Sequence, residues 1–168
     1  MIKFALGIAI IAFTSFTGYV LAKKYRQRKE FFAQWQEFNE RFLAEISYYR
    51  RPLNDFLSKY VYKGEFQEIL YSFSVLIRKE GQRKQTMLQN ALSLSEYSFL
   101  KNEERQRVED YFLMLGKGDS VSQKAYFSSV RDLLKKLQNE SKEQSKKYGD
   151  LYIKLGFLLG LLILILII

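Results

Sequence analysis

The apolar residues are concentrated at the two ends of the chain, and that placement restricts the possible folds more than any other feature. Phe4–Ala22 runs nineteen residues without a charge. At about 1.5 Å rise per residue, such a helix can cross a bilayer core of roughly 30 Å. Lys3 precedes the run, so a cleaved signal peptide is the competing reading. The run is longer than a signal h-region, and Val20-Leu21-Ala22 followed by Lys23 and Lys24 is not an A-x-A cleavage site. The second run, Leu155–Ile168, has fourteen uncharged residues. Extended back to Leu151 it includes only Lys154, whose stem can lie along lipid while its ammonium reaches the interface.

Orientation follows from the cations beside each run. Lys23, Lys24, Arg26, Arg28 and Lys29 follow the first; Lys146 and Lys147 precede the second, with Lys154 just inside it. Both basic flanks belong to the intervening segment, which is therefore expected in the cytoplasm, with both termini on the far side. The expected division is a transmembrane helix at 1–22, a cytoplasmic helical bundle at 23–149 and a transmembrane helix at 150–168. Gly18 in the first span and Gly156 and Gly160 in the second are candidate packing positions, because small residues let helix backbones approach closely. Compositional chance is the plainer explanation for them.

The intervening segment reads as all-α. Trp35, Phe38, Phe42, Ile46 and Tyr49 recur at three- and four-residue steps, and Pro52 ends that helix while suiting the first turn of the next. Leu53, Phe56, Leu57 and Tyr60 mark a second helix closed by Gly64. Phe66, Ile69, Leu70, Phe73, Leu76 and Ile77 mark a third ending at Gly81, and Met87, Leu88, Ala91 and Leu92 a fourth. Val108, Tyr111, Phe112 and Leu115 mark a fifth, stopped by Gly116 and Gly118. Asp119 is a candidate N-cap for the last, whose core face is Phe127, Val130, Leu134 and Leu137. The expectation is a bundle of about six helices. Lys23–Glu30 and Gln138–Lys147 are almost wholly polar and are expected to bury nothing, forming paired stems, with Gly149 as a hinge.

The net charge is +9, and the chain contains neither His nor Cys. Disulfides, thiolate nucleophiles and the commonest general base and metal ligand are thereby excluded. No Gly-rich phosphate loop is present. These absences favour a non-enzymatic protein with no cofactor and no metal. Lys23–Lys29 reads as a topology signal contacting anionic headgroups rather than nucleic acid, which lacks a recognition motif here. Glu45 lies at the edge of the Trp35/Phe42/Tyr49 stripe and reads as a structural acid that pairs with an Arg or caps a neighbouring helix. Tyr48-Tyr49 and Tyr60-Val61-Tyr62 are candidate partner-facing aromatics.

With these residues in place, the chain resembles the stage III sporulation protein AB family nearly end to end. The resemblance rests on Thr17-Gly18 followed by Lys23, Lys24, Tyr25 and Arg28, and on Glu45-Ile46-Ser47-Tyr48 with Pro52-Leu53. It also rests on Leu115-Gly116 with Asp119 and Gln123, and on Lys154-Leu155-Gly156-Phe157-Leu158-Leu159-Gly160. Tyr111-Phe112 departs from the pattern, where family members often have Phe-Gly. The resemblance implies a six-helix cytoplasmic bundle similar to the inner-membrane platform proteins of type II secretion and type IV pilus machines. It implies a place in the mother-cell to forespore channel complex, in the outer forespore membrane with the domain in the mother-cell cytoplasm. The implied partners are a cytoplasmic secretion-type sporulation ATPase and the other channel subunits, within an oligomeric complex. A membrane-tethered scaffold for anionic lipids or other membrane proteins, with no ATPase, is the alternative. A membrane enzyme using Ser, Lys or carboxylates is a further one.

Overall fold

A computed structural model of the chain describes residues 2–49, 51–59, 64–80 and 96–167. These residues are helical with connecting turns, and there is no strand among them. The first helix, α1, spans Ile2–Ala44 and ends in a π-helical turn at Glu45–Tyr49. Three shorter helices follow: α2 (Leu53–Lys59), α3 (Glu65–Glu80) and α4 (Asn102–Met114). Then α5 (Ser120–Gln144) passes through a second π-helical turn, Ser145–Gly149, into α6 (Asp150–Ile167). Tyr60-Val61-Tyr62, Gly81 and the expected helix around Met87–Leu92 lie outside the described residues. The chain divides into two compact units, Glu30–Gln138 and a second formed by Met1–Lys29 with Asn139–Ile168. This boundary places the basic and polar stretches 23–29 and 139–149 with the terminal helices.

Local sequence sets the helix limits of the first unit. Pro52 lacks an N–H to offer, and its carbonyl accepts from Asp55 N (3.0 Å) and Phe56 N (3.1 Å), opening α2. Gly116 (φ 69°) and Gly118 (φ 79°) take left-handed conformations that stop α4. The Asp119 carboxylate then caps α5, its Oδ1 accepting from Val121 N (2.8 Å) and Ser122 N (2.9 Å).

The core of Glu30–Gln138 is aromatic. Phe31, Phe32, Trp35, Phe38 and Phe42 on α1 meet Phe56 of α2, Phe66 and Phe73 of α3, Tyr111 and Phe112 of α4 and Phe127 of α5, all buried. Edge-to-face contacts link them: Trp35 to Tyr111 at 5.2 Å and 82°, and Phe42 to Phe127 at 4.9 Å and 90°. Each such pair contributes about 0.5–1.5 kcal/mol beyond the area it buries. Asn39 places a polar side chain among these rings. It is fully buried; its Nδ2 donates to the Phe127 carbonyl (3.1 Å), and the Tyr111 hydroxyl donates to its Oδ1 (3.2 Å). The departure noted at Tyr111-Phe112 thus has a physical counterpart. The extra hydroxyl finds Asn39, and the Phe112 ring fills space beside Phe66 (6.0 Å) and Phe73 (4.8 Å).

The second unit is a pair of helices with apolar outer faces. Phe13, Phe16, Leu158, Ile165 and Leu166 are all exposed. Where the two helices cross, backbone meets backbone. A Cβ on Gly18 would lie 2.5 Å from the Tyr152 carbonyl oxygen, and one on Gly156 would lie 2.6 Å from that of Thr14. A Cβ on Gly160 would lie 2.5 Å from the Thr14 hydroxyl oxygen. Among the described residues, Ser120–Leu166 is the helix long and apolar enough to cross a membrane, and its most apolar stretch is only 17% buried.

The polar stretches of this unit differ from the sequence expectation. Arg28 and Ser141 are buried, and the Arg28 Nη1 donates to Gln144 Oε1 at 2.9 Å. Arg28, expected at the membrane surface, therefore contacts the other helix of the pair. Below it, the Tyr25 ring stacks on Tyr152 (5.8 Å) and leans on Tyr148 (5.4 Å). Gly149, expected as a hinge, is buried inside a continuous helical run. The π-helical turn accommodates it without a break in hydrogen bonding.

Candidate functional site

The most structured polar site is the corner where α1 ends. Glu45 opens the π-helical turn with its carboxylate buried against the aromatic core. Arg51 stands outside the helices, as suits a residue directly before a proline, and its side chain lies over that turn. The guanidinium then grips the carboxylate with two bonds, Nε to Oε1 at 2.8 Å and Nη2 to Oε2 at 2.6 Å. The Arg51 backbone N–H adds a third to Oε1 at 3.2 Å. These bonds hold the Glu45 carboxyl below the usual carboxylate range, with burial pulling the other way.

Beside this pair is a hollow of about 280 Å³ lined by Arg41, Glu45, Tyr49, Arg51, Phe56 and Lys59, with Ala44 at its back. Its lining has three cations and one carboxylate; Arg51 is paired with Glu45 and Arg41 with Glu37 just outside the hollow (2.6 Å), which leaves a modest positive excess. The Arg51 guanidinium lies over the Tyr49 ring at 5.1 Å. Tyr48 is 82% exposed and Tyr49 66%. This combination of exposed tyrosines and an arginine fixed by its neighbour is typical of a protein-binding surface. Proton abstraction is poorly served, since Arg51 donates to both Glu45 oxygens and lowers the basicity of the carboxylate, and no second carboxylate lines the hollow. No cluster of acids able to hold a metal exists among the described residues.

The other sequence-selected residues sit elsewhere. Lys23, Lys24 and Arg26 are exposed and Lys29 is half-buried, whereas Arg28 is turned inward. Lys146 and Lys147 are exposed within the second π-helical turn, and Lys154 is exposed on α6. Gly18, Gly156 and Gly160 share the helix crossing. Sequence reasoning missed Arg51, Asn39 and the Tyr25/Tyr148/Tyr152 stack. Only the last had a readable signal, two tyrosines four residues apart on one helix face.

Comparison with known proteins agrees with the resemblance drawn from the sequence. The family model for stage III sporulation protein AB matches residues 3–168. Stage III sporulation protein AB of Bacillus subtilis (strain 168) is 25% identical over 171 residues, covering 99% of each chain. No solved structure matches. The chain belongs to the stage III sporulation protein AB family.

Proposed function

We propose that this chain is a non-enzymatic, two-span platform subunit of the mother-cell to forespore channel complex of endospore formation. Residues 23–149 form a cytoplasmic bundle of about six helices, held between membrane helices at 1–22 and 150–168. The bundle faces the mother-cell cytoplasm and couples a cytoplasmic secretion-type ATPase to the channel subunits in the outer forespore membrane. The observation that carries this reading is the end-to-end family match. The modestly positive corner with exposed Tyr48 and Tyr49 supplies the surface a protein partner would use. The exposed cations Lys23, Lys24, Arg26, Lys146 and Lys147 support retention of the bundle on the cytoplasmic side.

Topology is the deciding experiment, and the native chain is already a Cys-free background. Single Cys residues placed at Ser98 and near each terminus are probed with an impermeant thiol reagent in intact non-sporulating cells that express the chain, where the far side of the membrane faces the medium, and after lysis. Protection at Ser98 with labelling near the ends is the expected pattern. Labelling at Ser98 in intact cells would put the domain outside and end the platform reading. The purified chain is also expected to turn over no nucleotide without a partner.

The same exposed cations favour a second reading, a scaffold that binds anionic lipid and has no ATPase partner. Capture of residues 23–149 by anionic liposomes, abolished at high salt, would favour it.

A further inference from the structure

Alongside the glycine crossing of the terminal helix pair runs a groove of about 350 Å³, lined by Phe13, Thr17, Leu21, Tyr152, Leu155 and Leu159. From Phe13 to Leu21 it extends about 12 Å along the helix axis. Its walls are apolar, and its hydroxyls are turned back on their own helix. Thr14 Oγ1 donates to the Ile10 carbonyl (3.0 Å) and Thr17 Oγ1 to that of Phe13 (2.9 Å). The groove therefore offers no polar group along its length.

Its end nearest the polar stretches is different. Tyr152, part of the wall, stacks on Tyr25 at 5.8 Å, and Tyr25 lies against Tyr148 at 5.4 Å. The Lys147 ammonium sits 5.3 Å from the centre of the Tyr148 ring. Lys24 is exposed and follows Thr17 by seven residues and Leu21 by three, so it shares their helix face. Lys23, also exposed, is turned about 100° further round the helix and off that face.

We propose that this groove binds one membrane phospholipid with an anionic headgroup, its acyl chain along Thr17 and Leu155 and its phosphate between Lys24 and Lys147. The site rests on the reading that both terminal helices span the membrane. Charge complementarity selects the occupant. An apolar channel that opens beneath two cations and a belt of tyrosines matches a molecule apolar at one end and anionic at the other. A helix about 10 Å across would need roughly 900 Å³ over the same length, far more than the groove holds.

The test uses the full chain in detergent, with native mass spectrometry against phosphatidylglycerol and phosphatidylcholine of matched acyl chains. One phosphatidylglycerol should be retained in preference. Lys24→Gln should lower that preference about fivefold, the effect of one basic residue at a lipid surface. Lys23→Gln removes the same charge at the same depth and should leave the preference unchanged. Thr17→Trp, which fills the groove, should remove retention of either lipid. Equal effects of the two lysine variants, or equal retention of the two lipids, would reduce the site to diffuse surface attraction and overturn it. A lipid-free dimer would assign the groove to a second copy and overturn it too. Alkaline carbonate extraction of membranes separates the two levels of failure. Release of the chain sinks the spanning reading itself, whereas a retained chain without lipid preference sinks only the groove.

Discussion

In residues 30–138, large side chains make the contacts between helices: Trp35 against Tyr111, Phe42 against Phe127, Phe73 against Phe112. In the terminal pair, backbone makes the closest contact, at Gly18 and Gly156, while Phe13, Phe16 and Ile165 face outward. The first unit gains stability by removing apolar area from water. The second leaves apolar area outside and makes its closest contacts between backbones, which on the proposed two-span reading is how helices associate where lipid replaces water. One chain thus uses two packing rules, and the change of rule occurs close to where the polar stretches begin.

Phe66→Ala should show the largest effect. Phe66 is fully buried and touches Phe31, Trp35, Phe38 and Phe112. Its removal should cost about 3–5 kcal/mol, read as the urea unfolding midpoint followed by Trp35 emission. A loss below about 1 kcal/mol would mean the aromatic cluster does not hold that unit together.

Gly156→Leu should act on the other unit alone. Cys residues introduced at Gly7 and Leu164, which lie in contact, should cross-link in the parent and fail to do so in the variant. The Trp35-reported midpoint should move by less than about 0.5 kcal/mol, as for independent sites. Parallel losses in both measurements would break the comparison.

Glu45 provides a smaller, pH-dependent test. Its folded-state carboxyl titrates below its ordinary 4.5 because Arg51 donates to the charged form. The unfolded chain therefore binds that proton more readily. The stabilisation is present above the ordinary value and is lost as pH falls through the depressed one. Parent and Glu45→Gln should differ at neutral pH and converge once pH has fallen below the depressed folded-state value. A gap that persists there would assign the effect of the substitution to packing.

The apolar ends, the helical period and most core positions were readable because each depends on residues close in sequence. Phe66, Ile69, Leu70 and Phe73 fall on one face whatever they pack against. Asp119 was readable for the same reason, since its cap bonds reach only Val121 and Ser122. Partners brought together by the fold were not. Arg28 looks like its neighbours Arg26 and Lys29 until a second helix places Gln144 opposite it. Glu45 stood out as an acid on an apolar stripe, but the choice of Arg51 depends on a π-helical turn. That turn is a shift in backbone hydrogen-bond register with no residue signature of its own. Asn39 was invisible for a related reason, because its two partners come from α4 and α5.

The glycine crossing also limits how this sequence can vary. Most core contacts leave room for compensation, since a larger side chain on one helix can be matched by a smaller one opposite. At Gly18 and Gly156 the obstacle is the carbonyl oxygen of Tyr152 or of Thr14. Those atoms remain whatever residue carries them. A change at either glycine therefore has no second-site suppressor among the side chains facing it, and the two positions must stay small together.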